Sequence, residues 1–236
     1  MRRLTTPLVA AAVVLALTAC GSLRDSDILT ALEDLASSIS PKPSATAADP
    51  GATVDVDVDA ARALLASLAT ADAHSGADYE RDEFGSGWVD TDDNGCDTRD
   101  DVLARDLEQV RTDGACEVLS GVLDDPYTGE RIAFAKEEAH AVHIDHVVPL
   151  ALAWRMGADE WEPERRVAFA NDPANLLAVD GPANQSKSDS GPAEWGPTAD
   201  FHCSYAVRYI EVLADYELPV PDQDRAALSD MLDGCA

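Results

Sequence analysis

Two short apolar runs, each closed by a proline signal, set the tightest limit on what this chain can fold into. The first reads His143-Ile144-Asp145-His146-Val147-Val148 and stops at Pro149, which lacks the N–H needed to continue a ladder. Its β-branched residues suit a strand. The second, Leu176 to Val179, is a strand candidate followed by Gly181-Pro182. Proline near the start of a helix costs no hydrogen bond, so a helix is expected from there. Asn184 and Lys187, three residues apart, share one face of that helix. The order is strand, a stretch of helical character, strand, helix.

The flanking sequence adds mainly helices. Leu64, Leu65 and Leu68 give Asp59 to Ala71 a helical period, and Val102, Leu103, Leu107 and Val110 do the same for Asp100 to Val110. Val118 to Val122 and Arg131 to Phe134 read as short strands around the turn Asp124-Asp125-Pro126-Tyr127-Thr128-Gly129. Two helices, Phe201 to Tyr216 and Pro221 to Leu232, are expected to end the chain. The expected class is α+β, mostly helical, with residues 59–236 as one domain and no internal repeat. Trp154, Trp161 and Trp195 are assigned to its core.

The first residues point to export. Met1-Arg2-Arg3 is basic, and Leu8 to Ala19 is apolar but short for a membrane span. Leu17-Thr18-Ala19-Cys20, followed by Gly21, resembles a bacterial lipobox. That resemblance implies a signal peptide over residues 1–20 and a lipid on Cys20, holding the protein at the outer face of the membrane unless it is shed. Residues 21–58, with Ser37-Ser38-Ile39-Ser40-Pro41-Lys42-Pro43-Ser44, hold few large apolar side chains and read as a flexible tether.

Cys96, Cys116, Cys203 and Cys235 remain. Four cysteines allow three pairings, and spacing alone does not choose. Cys96–Cys116 and Cys203–Cys235 are favoured because each would staple a segment flanking the strand–strand–helix region. The absence of a C-x2-C pair argues against zinc. His140, His143 and His146 also look like a zinc cluster, but a strand would scatter them over its faces.

Chemistry concentrates between His143 and Asp189. Asp145 is a carboxylate suited to a hard cation, His146 takes a proton near neutral pH, and an amide and an ammonium follow at Asn184 and Lys187. The net charge of −28 weighs against a nucleic-acid partner, which usually finds a basic surface. A bound divalent cation would supply positive charge that the formal count omits.

These residues, together with Phe84-Gly85-Ser86-Gly87-Trp88, Asn94-Gly95-Cys96-Asp97-Thr98-Arg99, Asp125-Pro126-Tyr127-Thr128-Gly129 and Phe169-Ala170-Asn171-Asp172-Pro173, resemble the HNH, or ββα-metal, endonucleases. The likeness is to secreted members related to the C-terminal domain of GmrSD-type restriction endonucleases, over roughly Tyr79 to Cys235. It implies a ββα core at about residues 140–192. It also implies His146 as general base, Asp145 and Asn184 as metal ligands, Asn175 ordering the loop between strands and Lys187 on phosphate. The expected ion is Mg2+, with Mn2+ or Ca2+ as alternatives, and the expected substrate is DNA, with RNA as the alternative. Such proteins often carry Gly where this chain has Ser188, and Asn where it has Asp100.

Two further readings stand beside this one. Asp90-Thr91-Asp92-Asp93-Asn94-Gly95, with Asp101 at the twelfth position, fits the opening of a calcium loop, although the usual closing glutamate is missing. The rival functional class is a non-catalytic surface lipoprotein that binds calcium or a partner.

Overall fold

The computed structural model describes residues 57–235. Cys20 and nearly all of the expected tether, residues 21–58, lie outside that range. Helix α1 (Val58–Ser67) starts where the Asp57 carboxylate accepts the Ala60 N–H at 2.9 Å. It buries Ala61 and Leu65 against α6 (His202–Asp215), which also packs on α7 (Asp222–Asp233). Among the described residues no helix is long and apolar enough to cross a membrane.

Helix α2 (Thr98–Asp106) is shorter than its apolar spacing predicts. From Leu107 the chain turns into strand β1 (Leu107–Asp113), which pairs antiparallel with β2 (Glu117–Asp124) and, through it, joins β3 (Arg131–Ala135). The helical period was correct through Leu103. Beyond it, the open edge of β2 offers a full set of backbone partners, and tertiary pairing overrides local propensity. A shift in register between Glu108 and Arg111, with Gln109 at φ 53°, bends β1 as it goes.

The second sheet pairs β4 (Val142–His146) antiparallel with β5 (Leu176–Asp180), and α5 (Gly181–Lys187) follows directly. Between them lie α3 (Leu150–Arg155) and α4 (Pro163–Ala170). The expected α+β class and strand–strand–helix order are present. This small sheet separates two cores. Val142, Ile144, Leu176 and Ala178 face one made with Val102, Leu103, Leu107, Val118, Leu123 and Phe134. On the other face, Leu177 and Val179 join the larger helical core around Phe84, Phe169, Tyr205, Tyr209 and Leu213. Trp154 is buried in that larger core, while Trp161 and Trp195 pack half-buried against it. Side chains alternate along a strand, so His143 and Asp145 point to the α5 side with Leu177 and Val179.

Both favoured disulfides are formed. Cys96–Cys116, with Cα atoms 5.1 Å apart, ties the loop before α2 to the β1–β2 turn. Cys203–Cys235, at 5.7 Å, ties the start of α6 to the chain beyond α7. Each contributes roughly 3 kcal/mol by restricting the unfolded chain.

Helix α5 approaches the segment just ahead of β4 closely because it begins with glycine. A Cβ on Gly181 would lie 2.2 Å from the His140 carbonyl oxygen, a backbone atom that cannot swing aside. Gly181→Ala is therefore expected to lower stability by about 2–3 kcal/mol, as overpacking does, read as a drop in the urea midpoint with an unchanged m value.

Candidate active site

The segment between β4 and α3 is pinned by one buried amide. The Asn175 carbonyl accepts the Val147 N–H at 2.8 Å, its side-chain oxygen accepts the Val148 N–H at 2.8 Å, and its side-chain N–H donates to the Val148 carbonyl at 3.2 Å. Asn175 has no exposed surface, so these groups have no water to replace a lost partner. It joins the ends of the two strands and fixes the direction of the chain at Pro149.

Asp145 and Lys187 form a buried pair. The Lys187 ammonium lies 2.9 Å from Oδ2 and 3.2 Å from Oδ1 of Asp145, and it also donates to the His146 carbonyl at 2.8 Å. Lys187 is 0% exposed and Asp145 6%. The Tyr127 hydroxyl donates to Asp145 Oδ2 at 2.5 Å. Burial is the largest influence on both ionisable partners, pulling the carboxyl up and the ammonium down, while their attraction and hydrogen bonds oppose it. Burial likewise lifts the Tyr127 hydroxyl well above its ordinary range, so it stays a donor.

Lys187, expected on phosphate, lies here against Asp145 and the His146 carbonyl. Asn184 and Lys187 do share a helix face, but that face looks inward onto β4. The ammonium is enclosed before any substrate arrives. Tyr127 was read only as part of a turn. That turn is docked by Asp125, which accepts Thr128 N–H and hydroxyl at 2.8 and 2.6 Å and the Asp180 N–H at 2.8 Å, so a loop from the other sheet reaches Asp145.

His146, half-buried, projects beyond the strand end. Its Nε2 lies 2.8 Å from the Ala170 carbonyl. A carbonyl only accepts, so Nε2 carries the proton and Nδ1 keeps its lone pair. The Trp88 ring lies against the imidazole, with centroids 5.9 Å apart and planes 11° from parallel. Burial pushes the imidazole down to about 3; the bond to Ala170 opposes this, and the positive charges of Arg81 and Lys187 add to it. Asn171, 1% exposed, binds the clamp together: its Oδ1 accepts the Val89 N–H at 3.0 Å and its Nδ2 donates to the Val167 carbonyl at 3.0 Å. Trp88 and Asn171 belong to sequence motifs noted above, but nothing in their spacing assigns them to His146.

Asn184 meets His143, its side-chain N–H₂ lying 3.3 Å from His143 Nδ1. Its Oδ1 accepts no hydrogen bond among the described residues. The Asp145 carboxylate takes Tyr127 and Lys187 as partners, and the His146 backbone N–H also bears on it. The side-chain oxygens of Asp145 and Asn184 are hard donors, and their chemistry suits Mg2+ or Ca2+. Among the described residues no three or more His, Cys, Asp or Glu side chains are gathered as a metal centre. That includes the candidate calcium loop. Asp90 accepts the N–H groups of Asp92 and Gly95, Asp92 accepts that of Asn94, and Asn94 donates to Asp101, so these side chains build a turn.

Asp145 and His146 open onto one cleft of about 400 Å³, lined also by Tyr79, Arg81, Pro149, Leu150, Ser188 and Asp189. A larger hollow of about 470 Å³, lined by Asp72, His74, Arg155, Glu194, Asp222 and Asp224 among others, shares no residue with it and is rich in carboxylates. Ser188 ends α5 at φ 52°, ψ −127°, a region that favours glycine. The departure noted in the sequence therefore falls on a strained residue at the rim of the cleft.

Residues 97–231 match the family described as GmrSD restriction endonucleases, C-terminal domain. An uncharacterized secreted protein of Arthroderma benhamiae is 39% identical over 178 residues, which cover 74% of this chain and 84% of that protein. No solved structure matches this chain.

Two outcomes follow from this geometry. Lys187→Met leaves a buried carboxylate without its cation and is expected to destabilise the fold by about 3–5 kcal/mol. Adding Asp145→Asn in the same chain should recover most of that loss, a coupling that a double-mutant cycle in urea measures directly. Ser188→Gly is expected to raise stability by about 1 kcal/mol by releasing the positive φ, seen as a higher melting temperature.

Proposed function

This chain belongs to the GmrSD restriction endonuclease C-terminal domain family, and from that membership we propose that it is an exported endonuclease that hydrolyses phosphodiester bonds of DNA with a divalent metal ion. The observation that carries this reading is the state of His146. Its Nε2–H is committed to the Ala170 carbonyl, leaving Nδ1 as an acceptor beside Asp145 in an open cleft.

His146 Nδ1 takes a proton from a water placed in the cleft, and the resulting hydroxide attacks the phosphorus. The bond to Ala170 and the Trp88 ring hold the imidazole so that no rotation is required during proton transfer. Asp145 and Asn184 would hold the ion through their side-chain oxygens. When bound, the divalent cation, Mg2+ first and Mn2+ or Ca2+ as alternatives, shields charge on the phosphoryl group and eases departure of the 3′ oxygen. The product carries a 5′-phosphate. Lys187 acts from below, offsetting the charge of Asp145 and holding it in place; with that charge partly cancelled, weak ion affinity is expected.

Action outside the cell is supported by the secreted relative and by the apolar leader from Leu8 to Ala19. Lipidation of Cys20, a tether over residues 21–58 and a nuclease domain from residue 59 complete the proposal.

The test is plasmid digestion by the purified protein. Activity should appear with Mg2+, vanish with EDTA and return when Mg2+ is restored in excess. His146→Ala should cut at least 10²-fold more slowly, about the contribution of a general base, with its circular dichroism unchanged. Equal rates for the two proteins would remove His146 from the mechanism. No digestion with Mg2+, Mn2+ or Ca2+ would favour a non-catalytic binding lipoprotein.

A further inference from the structure

A phosphodiester is an anion, and a chain of net charge −28 repels it. Some cation in the cleft must offset that repulsion, and Lys187 is enclosed with Asp145. Most other cations of the described residues are already held. Arg62, Arg105, Arg131, Lys136 and Arg166 are paired with carboxylates, and Arg208 and Arg225 lie against backbone carbonyls. Arg81, Arg99 and Arg111 alone among the described residues make neither an ion pair nor a hydrogen bond. Arg111 is exposed on β1, and Arg99 lines a separate hollow with Asp100, Glu117 and Lys136. Arg81 lines the cleft that holds Asp145 and His146.

The backbone beneath Arg81 is firmly set. It begins a short 3-10 turn, Arg81–Phe84, whose Phe84 is 0% exposed and packs on Trp154 and Phe169. The buried Arg166 guanidinium grips the same turn through the Glu83 carbonyl at 2.9 Å. The Arg81 side chain itself is exposed. Asp189, a carboxylate that lines the same cleft, is held at 2.6 Å by Arg155. A rigid base thus carries a free guanidinium beside the proposed general base.

We propose that Arg81 binds the non-bridging oxygens of the scissile phosphodiester and is the protein's own phosphate contact in the cleft. The proposal rests on the nuclease reading above and adds a residue that lies ahead of the stretch matching the family. A guanidinium suits the task because its planar fork meets two phosphate oxygens at once, which an ammonium cannot do.

Binding and cleavage test it separately. With EDTA present to block cleavage, affinity for a fluorescent DNA duplex is measured by anisotropy over a range of salt. Arg81→Gln should bind more weakly and lower the slope of log affinity against log salt by about 0.9, the loss of one phosphate contact. Arg81→Lys should keep the slope. With Mg2+ present, Arg81→Gln should lower kcat/KM by about 10²-fold and Arg81→Lys by less. Because Arg81 is exposed, its melting temperature should not move. Equal slopes for wild type and Arg81→Gln, or no measurable slope in the wild type, overturn the proposal. Loss of the slope in a protein that cuts nothing would uphold Arg81 as a phosphate site and reject the nuclease. Normal slopes with active cleavage would do the reverse.

Discussion

The buried contact between Lys187 and Asp145 is the point on which the site turns. One ammonium serves both oxygens of a carboxylate and the backbone carbonyl of the next residue, and so fastens α5 to β4 at the end where the chemistry is placed. Tyr127 adds a bond from a loop of the other sheet, so three separate elements converge on one carboxylate. A lone charge in that position would be very costly to bury, whereas the pair with its hydrogen bonds is tolerable. The arrangement fixes geometry more than it adds net stability. It also removes the lysine from contact with solvent.

That removal explains why the cleft looks the way it does. In a strongly acidic protein whose motif lysine is turned inward, the proposed anionic substrate would be met by other means. Asp145 and Asn184 carry hard oxygen donors, and Arg81 lines the cleft with Asp145 and His146 without an ion pair among the described residues. His146 is organised by a different principle. It is held by shape and by one backbone carbonyl, between the Trp88 ring and the end of α4, so that a single nitrogen faces the opening. Carboxylate and imidazole are adjacent in sequence yet lie on opposite faces of the strand, and they meet in one cleft because the strand ends there.

Much of the fold was legible. Pro149 and Gly181-Pro182 marked the end of β4 and the start of α5, the apolar spacing found α1 and the first part of α2, and the two expected C-terminal helices are present as α6 and α7. The cysteine pairs followed from what each could staple. The helix that ended early was local pattern meeting tertiary demand. Leu107 and Val110 extend a helical period, but the edge of β2 claims that segment as a strand. Asp90, Asp92 and Asn94 fit a calcium loop by spacing, and in the structure they accept N–H groups of their own turn. Trp88, Asn171 and Tyr127 sit far in sequence from the residues they support, so no local pattern could assign them.

The sequence by itself determined which residues share a face, because strand and helix periods are fixed by covalent geometry. It placed His143 beside Asp145 and Asn184 beside Lys187 for that reason. Which way each face points was decided only by tertiary structure. The α5 face that carries Lys187 is joined to β4 through Asp145 and the His146 carbonyl, and burial there makes Lys187 an internal counter-charge. Direction relative to the solvent depends on packing between distant segments, and periodicity holds no information about it.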